Sequence, residues 1–531
     1  MKRRLDNEMA FKNLDAKSAP LVSVLIPTYN RADYLHTAIT SVVRQDYRNI
    51  EVLVVRDGGD RIDGIVESFN DERIVFIDRN ENRGKAYTLN EALALAKGKY
   101  ICYLDNDDLY YRHHVGTLVG ALENETDCRV AYSDLYRTYC RIARDGTREV
   151  LGKVVEVSRD FDRFVMLYYN HALHVSLMHR RDLLEKIGPY NEELNVLIDW
   201  DLTRKLCFFT DFHHVNEVTG EYYSPVGESD RVSVQRRKDA NEYLRNVLAI
   251  RTTRPAKPWP KIKDVSIILA SEELNQRTAG MLGSIWRHTF YPYEVYLPLS
   301  QADSVRLDVG MPNVVVVEVA AGASVAERID AALARSEAEY TAVVPDGFEI
   351  REFWLEDSLC GLISNPKAGE GFELEDSTEK LWAVVLKTDD LRDARRRFPG
   401  MTVRDSLRAA GVKVRRPEPN EIPFQFDQLL CQSESVLDEG DYAQAGRMFE
   451  DIARRYGNEI WMKYRAADAY FKADEFDKAA ELVRQVNEKK PTVDTLLLEA
   501  KLKRRKKDFP PAITMLEEAE RILEGKELVW I

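Results

Sequence analysis

Short apolar runs alternate with amphipathic segments through the first hundred residues of the chain. Residues 22–26, 50–55 and 100–104 are apolar and rich in β-branched or aromatic side chains, which predicts three buried strands. After the first run, apolar side chains recur at helical spacing, at Leu35, Ala38, Ile39, Val42 and Val43. Another helix is predicted over residues 84–97. This alternation of strands and helices predicts a parallel α/β sheet.

The third apolar run ends in a dense group of carboxylates. Asp105, Asp107 and Asp108 fall within four consecutive positions, together with Asn106. Ligands of open α/β sheets bind where the strands end, and clustered carboxylates repel one another unless a cation neutralises them. All-oxygen ligation suits Mg²⁺ or Mn²⁺, which favours a metal that holds a phosphorylated substrate. The alternative is a solvated loop with an acidic helix cap, and for Asp108 the cap is the favoured interpretation.

Five ordered motifs extend this pattern from residue 22 to residue 206. They are VSVLIPTYNR, EVLVVRDGG, NRGKAYTLNEAL, GKYICYLDNDD, and HRRDLLEKIGPYNEEL together with IDWDLTRKL. In this order they resemble family 2 glycosyltransferases of the GT-A fold. The resemblance implies an inverting transferase of the hexosyltransferase type. Its donor would be a nucleotide-diphosphate sugar, with UDP as the expected nucleotide, its acceptor a hydroxyl of a glycan or protein, and its cofactor Mn²⁺ or Mg²⁺.

The resemblance also implies a donor site. Asp107 matches the direct metal ligand, and Asp105 beside it contacts the ribose or metal-bound water. Asp57 matches the position that accepts a hydrogen bond from uracil, although the acid that usually precedes it is Arg56 here. The other candidates for binding the nucleotide sugar are Thr28, Tyr29, Arg31, Arg83, Lys85 and Asn106.

The candidate catalytic base is Asp199, which takes the family's position for the carboxylate that deprotonates the acceptor hydroxyl. Asp201, two positions further on, is the alternative base. Trp200 is a candidate to stack on the acceptor sugar, with a core position as the equal alternative, and Asp134 is a second acceptor candidate. Pro225 replaces a histidine that is usual in the family, which removes one potential ligand of the metal or diphosphate.

The strand pattern recurs later in the chain. Residues 265–269 repeat the pattern of residues 22–26, and residues 340–344 repeat that of residues 100–104. A second, degenerate GT-A-like domain is therefore predicted. Its site positions are Ser300, Pro345, Asp346, Gly347, Phe348 and Arg404, where the first domain has Asp57, Asp105, Asn106, Asp107, Asp108 and Asp199. Metal-dependent transfer is not expected there, and the domain is interpreted as retained for packing or for positioning the acceptor.

The C-terminal region has a period of its own. An acidic residue followed by an aromatic one recurs at 441–442, 475–476 and 508–509, which are 34 and 33 residues apart. This spacing resembles tetratricopeptide repeats. The repeats are predicted to bind a polypeptide, a partner subunit or the acceptor, and the equal alternative is a cap on the second domain or a homodimer contact. Because the chain reaches them after a complete second domain, they are predicted to lie away from the metal.

Composition limits the function further. A formal charge of −13 argues against nucleic acid or an anionic membrane surface as the main partner. The six cysteines show no CxxC spacing, so neither a zinc ribbon nor a disulfide framework is predicted. No apolar run is long enough to span a bilayer, and no signal peptide is recognisable. The protein is therefore predicted to be cytoplasmic.

The chain of 531 residues is long enough for about three domains. The predicted segments are an N-terminal extension (1–20), a catalytic domain (21–250), a linker (251–263), a degenerate GT-A-like domain (264–420) and helical repeats (421–531). The predicted function is metal-dependent glycosyl transfer. The alternative is a non-catalytic assembly protein, whose paired GT-A domains bind nucleotide or glycan while the repeats recruit a partner.

Overall fold

The computed structural model describes residues 19–524 of the chain, except for several short segments. Those segments are 125–126, 144–145, 156–157, 226–239, 272–274, 301–312, 375–380, 418–428, 431, 435, 438, 457–458 and 490. Nearly all of the predicted N-terminal extension and the predicted start of the repeats at residue 421 lie outside the described residues. No helix in the described residues is long and apolar enough to cross a membrane.

The chain folds into two compact units. Among the described residues, the first comprises those up to Asp162, those within Asn170–Tyr243 and those after Phe426, and the second comprises those within Arg163–Tyr169 and Leu244–Gln425. The helical repeats therefore share a unit with the first sheet, although a second domain separates them along the chain. The boundaries predicted from the sequence stay predictions.

The first unit is built on a nine-stranded mixed sheet with the order β3-β2-β1-β4-β8-β6-β9-β5, in which β7 pairs with β6. The strands are β1 (Val22–Thr28), β2 (Ile50–Asp57), β3 (Ile74–Arg79), β4 (Tyr100–Tyr103), β5 (Leu109–Tyr110), β6 (Cys128–Ile142), β7 (Arg148–Val155), β8 (Leu177–Arg180) and β9 (Asp211–Pro225). The strands β1 to β4 run parallel, and Val22 lies opposite both Ile50 and Tyr100. The parallel α/β sheet predicted from the apolar runs is confirmed.

Within the described residues, seven α-helices follow or lie between these strands along the chain. They are α1 (Ala32–Val43), α2 (Asp63–Glu67), α3 (Lys85–Leu95), α4 (His114–Asn124), α5 (Arg163–Tyr168), α6 (Leu184–Ile187) and α7 (Ile198–Leu206). Of these, α5 belongs to the second unit. The apolar stripe of α1 is buried, as its spacing predicts, and joins the core formed by the apolar strand residues. Burial of this face is the main reason that the segment is helical.

The carboxyl ends of β1, β2 and β4 meet at one edge of the first sheet. Thr28 ends β1, Asp57 ends β2, and Tyr103 ends β4 two positions before the carboxylate group. Because β1 lies between β2 and β4, the order of the strands reverses at this point. Ligands of open α/β sheets bind in the crevice at such a reversal.

The second unit contains a seven-stranded sheet with the order β12-β11-β10-β13-β15-β14-β16. The strands are β10 (Val265–Ala270), β11 (Tyr293–Ser300), β12 (Val314–Val319), β13 (Tyr340–Pro345), β14 (Glu370–Leu374), β15 (Ala383–Lys387) and β16 (Lys413–Arg415). The helices are α8 (Ala240–Thr252), α9 (Gln276–His288), α10 (Val325–Arg335), α11 (Glu356–Ser364), α12 (Thr388–Arg397) and α13 (Val403–Ala410). Its first four strands repeat the order of β1 to β4, which confirms a second α/β sheet.

The described part of the repeat region contains five helices with defined bounds. They are α14 (Tyr442–Tyr456), α15 (Glu459–Lys472), α16 (Phe476–Lys489), α17 (Val493–Arg505) and α18 (Phe509–Glu524). They pack around a core of their own. Near the first sheet, burial and the charge of Asp494 raise the pKa of Tyr136 on β6 and of Tyr464 on α15. The repeats therefore lie beside β6, and their distance along the chain does not describe their place in the fold.

Candidate active site

Three carboxylates lie together where β4 leaves the first sheet. Asp105, Asp107 and Asp108 place carboxylate oxygens within 4.8 Å of one another. Asp107 and Asp108 are buried, whereas Asp105 is partly exposed. The amide of Asp108 donates a 3.1 Å hydrogen bond to the carbonyl of Asp105, which closes the turn. Three ionised carboxylates at this separation require positive charge nearby.

Two cations from neighbouring turns lie against this group. Arg31, which precedes α1, forms an ion pair with Asp107. Lys85, the first residue of α3, places Nζ 2.5 Å from Oδ1 of Asp105. Burial disfavours the charged ammonium, but the carboxylates of Asp105, Asp199 and Asp107 outweigh burial and raise the pKa of this lysine. The site is therefore an alternation of acidic and basic groups.

Asp199, the candidate base, is the second residue of α7. Leu197, just before this helix, has a φ of 61°, a left-handed conformation that is strained for leucine. Asn170 donates a 3.0 Å hydrogen bond from Nδ2 to Oδ2 of Asp199, and Thr203 donates a 3.2 Å bond to Oδ1 of Asn170. Because Asp199 also contributes to the raised pKa of Lys85, the candidate base and the carboxylate group act on one shared lysine.

The two residues that follow Asp199 are buried. Asp201 is 1% exposed, and its Oδ2 lies 2.7 Å from Nζ of Lys205. A carboxylate in such an internal ion pair is poorly placed to meet an acceptor, which favours Asp199 as the base. Trp200 is 3% exposed, and this burial favours its core interpretation over stacking on an acceptor sugar.

Asp134, the other acceptor candidate, is held by the protein itself. Its Oδ1 lies 2.9 Å from Nε2 of His214, and its Oδ2 accepts a 2.9 Å hydrogen bond from Ser158. Burial opposes protonation of His214, but Asp134 and Asp160 outweigh it and raise the pKa of this imidazole. In the described part of the chain, no contact joins Asp134 to the carboxylate group, and its acceptor role stays a prediction.

Asp57 fixes the loop that leads into α3. Its Oδ1 accepts a 2.8 Å hydrogen bond from the amide of Arg83, and its Oδ2 accepts a 2.9 Å bond from the amide of Gly84. The guanidinium of Arg79 lies 2.6 Å from Oδ1. Gly84 has a φ of 90°, which favours glycine at this position. Asp57 thereby positions Lys85 at the carboxylate group. Contact of Asp57 with a nucleotide base stays a prediction.

Of the other residues predicted to bind the nucleotide sugar, some lie at the carboxylate group and some have no contact with it among the described residues. Asn106 donates a 2.7 Å hydrogen bond to the hydroxyl of Thr28, which joins the ends of β1 and β4 at the carboxylate group. Tyr29 is 47% exposed and open to a ligand. The guanidinium of Arg83 lies 3.6 Å from the centre of the Tyr87 ring. Contact of Arg83 with a phosphate therefore stays a prediction.

Asp108 has a different role from the one predicted. The expected helix cap is wrong, because α4 begins only at His114. Instead, Oδ1 of Asp108 accepts a 2.9 Å hydrogen bond from the amide of Tyr223 on β9. This bond holds the carboxylate beside Asp105 and Asp107, so that all three belong to one group.

Two residues of the site were not found from the sequence. One is Asn170, which orients Asp199. The other is Arg148 on β7, which donates a 2.6 Å hydrogen bond to the carbonyl of Asp107. Its guanidinium lies 3.7 Å from the ring centre of Tyr34 and 4.1 Å from that of Tyr223. Neither residue stands in a recognisable motif, because each reaches the site only through the tertiary fold.

The oxygen atoms of the carboxylate group are suitable ligands for a divalent cation. Carboxylate oxygens are the ligands that Mg²⁺ and Mn²⁺ prefer. In the described part of the chain, Asp105, Asp107 and Asp108 are the one group of three potential ligand residues close enough to share an ion. The predicted metal site at Asp105 and Asp107 thus has the right chemistry, and Asp108 is added to it.

Comparison with known proteins matches the first and last regions of the chain to protein families. The model of glycosyl transferase family 2 matches residues 23–175, and a tetratricopeptide repeat model matches residues 436–503. The chain is 32% identical over 207 residues to an uncharacterised glycosyltransferase of Rickettsia typhi, which covers 38% of this chain and 63% of that protein. It is 34% identical over 117 residues to the UDP-Glc:alpha-D-GlcNAc-diphosphoundecaprenol beta-1,3-glucosyltransferase WfaP of Escherichia coli, which covers 22% and 46%.

The chain thus spans less than two thirds of the length of either relative. Among solved structures, Staphylococcus aureus TarS 1–349 in complex with UDP-GlcNAc is 20% identical, with a TM-score of 0.35, over 44% of this chain and 66% of that one. The match to the family model covers the strands and the carboxylate group described above. The N-terminal domain of this chain is therefore a glycosyltransferase family 2 domain.

Proposed function

We propose that the N-terminal domain transfers a hexose from a UDP-sugar to an acceptor hydroxyl on a glycan or a protein, with inversion at the anomeric carbon. The observation that supports this proposal is the arrangement around Lys85, where one ammonium lies among the carboxylates of the candidate metal site and the candidate base. Single displacement requires the leaving group, the acceptor and the base to meet in one site. A relative named for UDP-glucose supports UDP as the nucleotide.

On the donor side, the domain supplies charges of both signs. Asp105, Asp107 and Asp108 would hold Mn²⁺ or Mg²⁺, which when bound stabilises the charge that develops on a departing diphosphate. Arg31 and Lys85 already lie at these carboxylates. We assign to both cations the oxygens of the donor diphosphate, because guanidinium and ammonium groups form strong charge-assisted hydrogen bonds to phosphate.

On the acceptor side, Asp199 accepts the proton of the attacking hydroxyl. Asn170 holds Oδ2 of this carboxylate, and Oδ1 accepts no hydrogen bond from the described residues. The acceptor hydroxyl donates to that oxygen while its own oxygen attacks the anomeric carbon on the face opposite the diphosphate. A positioned base of this kind contributes a factor of ~10² to 10⁴ to the rate.

The test separates binding from chemistry. Full-length protein is mixed with Mn²⁺ and a set of UDP-sugars, and release of UDP by hydrolysis is measured, because hydrolysis requires no known acceptor. Asp199→Asn preserves the shape of the side chain and removes the proton acceptor. Turnover should fall ~10²-fold or more, while UDP still raises the melting temperature in the presence of Mn²⁺.

Asp201→Asn is the matched control, with its melting temperature recorded to confirm folding. If this variant is folded and inactive while Asp199→Asn is active, the base is Asp201. If UDP binds but no UDP-sugar is turned over by the wild type, the non-catalytic assembly function is favoured instead.

Two further predictions accompany this proposal. Binding of a protein partner or of the acceptor by the repeats remains a prediction, supported by the matching repeat model and by the position of α15 and α17 beside Tyr136. The cytoplasmic location also remains a prediction.

A further inference from the structure

The second sheet has a cavity at the edge that corresponds to the active site of the first. Its volume is about 750 Å³. It lies where β13 ends and α9 begins, and its walls include Arg277, Gly280, Met281, Asp346, Glu349 and Leu381. Cavities of a few hundred cubic ångströms with a small number of convergent polar groups are typical ligand sites.

The position of the cavity in the sheet is itself informative. Strand β10 lies between β11 and β13, so the strand order reverses there, as it reverses at β1 in the first sheet. The crevice at such a reversal is where open α/β sheets bind ligands. The second unit therefore keeps the geometric feature that creates a binding site, although the carboxylate group of the first unit is replaced.

One wall group is left without a partner by the protein. Oδ1 of Asp346 is buried and accepts no hydrogen bond from the described residues. Because Oδ1 is closed off from water, a ligand in the cavity would contact the rest of the Asp346 side chain, which forms no ion pair with the described residues. Beside it, Gly347 has a φ of 84°, and a Cβ at this position would lie 3.5 Å from the Arg277 side chain. The left-handed backbone therefore favours glycine here, while an added Cβ would be in ordinary contact with Arg277.

The charges of the lining select against a nucleotide. Two carboxylates, Asp346 and Glu349, stand against one guanidinium, Arg277, and the described residues contain no metal-binding group at this edge. A diphosphate would meet net repulsion here. Hydroxyl groups fit better, since they donate to carboxylates and accept from a guanidinium, and the apolar wall of Met281 and Leu381 suits the C–H face of a sugar ring.

We propose that the second unit binds a neutral saccharide in this cavity, without metal. Its use rests on the proposed function: a saccharide bound here is the glycan acceptor or a part of it. The binding step is independent of the transfer step, and each can be measured alone.

The experiment exploits two glycines of α9. A Cβ at either Gly280 or Gly283 meets no atom within 4 Å, but only Gly280 lines the cavity. Gly280→Trp therefore fills the cavity, and Gly283→Trp is the matched control on the same helix. Full-length protein in EDTA, without donor, is examined by saturation-transfer difference NMR with glucose, galactose, mannose, N-acetylglucosamine and their disaccharides.

At least one of these sugars should give a signal with the wild type and with Gly283→Trp that is lost in Gly280→Trp. Asp346→Asn should weaken binding of that sugar ~10-fold, because a hydrogen bond to a charged acceptor is replaced by one to a neutral amide. Absence of any sugar signal, or signals that survive Gly280→Trp, would overturn the proposal, and loss of such signals in Asp107→Ala would place the sugar in the first unit instead. Because EDTA removes metal-dependent turnover, these outcomes do not depend on the proposed transfer reaction.

Discussion

The two sheets of this protein share a strand order but differ in what stands at the strand ends. In the first sheet, β4 is followed by Asp105, Asn106, Asp107 and Asp108; in the second, β13 ends at Pro345 and is followed by Asp346, Gly347 and Phe348. Most of the buried strand residues are apolar in both, although a few, such as Ser23 and Ser266, are polar. The comparison teaches that apolar patterning maintains the fold, while a few polar residues at one edge determine the chemistry.

The same contrast holds at the position of the base. Asp199 is the second residue of α7, and Arg404 is the second residue of α13. A guanidinium stays protonated and accepts no proton, so the corresponding position of the second unit lacks a base. Its Arg404 lies 5.6 Å from the ring centre of Trp382 instead.

The largest effect is expected from matched alanine substitutions at the two edges. Asp107→Ala should lower hydrolysis of a UDP-sugar at least ~100-fold, because stabilisation of a leaving group by a metal is worth several kcal/mol. Asp346→Ala should leave hydrolysis unchanged, since no acceptor is involved. Steady-state rates at saturating Mn²⁺ provide the measurement. Equal losses in both variants would mean that the second sheet also takes part in chemistry.

Replacing a buried glutamate by glutamine should change the free energy of unfolding in opposite directions in the two units. Glu356 is fully buried, and burial raises its pKa from 4.5 to about 7 despite hydrogen bonds from the amides of Tyr291 and Phe290. The folded state therefore binds this proton more tightly than the unfolded state does. Its contribution is most favourable below pH 4.5 and is lost as the pH rises to 7.

Glu356→Gln should therefore stabilise the protein at pH 8 by a few kcal/mol, roughly, because the neutral amide avoids the cost of a buried charge, with little effect at pH 4. Glu221 in the first unit is the contrasting case, because it accepts hydrogen bonds from Tyr111, Thr138 and Lys153. Glu221→Gln should destabilise by about 3 kcal/mol, since it leaves a lysine without its charge partner. Urea unfolding at both pH values measures these changes, and destabilisation by Glu356→Gln at pH 8 would contradict the account.

A smaller effect is expected at Asn170, the positioning residue of the base. Asn170→Ala should lower kcat about tenfold, since a misoriented base loses part of its contribution. Asn170→Asp should shift the acid limb of the pH–rate profile to higher pH, because a second carboxylate beside Asp199 disfavours its ionised form. An unshifted profile in Asn170→Asp, with a reduced melting temperature, would indicate only a structural role.

The sequence predicts the fold well because buried strands and helices require apolar residues at regular spacing. The apolar runs at 22–26 and 50–55 lie within β1 and β2, and the run at 100–104 extends one residue beyond β4. The recurrence of the pattern at 265–269 predicted the second sheet. The ends of these strands follow directly from the pattern. The carboxylate group could therefore be located before any tertiary contact was known.

The missed features depend on contacts between distant segments. Arg148 reaches the carbonyl of Asp107 across 41 residues of chain, and Asn170 reaches Asp199 across 29. Asp108 was interpreted as a helix cap because local rules favour one, but its partner is a strand amide 115 positions away. The packing of the repeats beside β6 was not foreseen for a similar reason, since chain order does not determine which surfaces pack together.

The central claim is that the first unit holds a nucleotide diphosphate through a metal at Asp107, whereas the second unit does not. The most direct measurement is the unfolding free energy with UDP, in Mn²⁺ and in EDTA, for the wild type, Asp107→Ala and Asp346→Ala. UDP at 100 times its dissociation constant should stabilise the wild type by ~2.7 kcal/mol in Mn²⁺ and have no effect in EDTA. Asp346→Ala should behave like the wild type, and Asp107→Ala should show no stabilisation. Equal stabilisation in EDTA, or its loss in Asp346→Ala alone, would contradict the account.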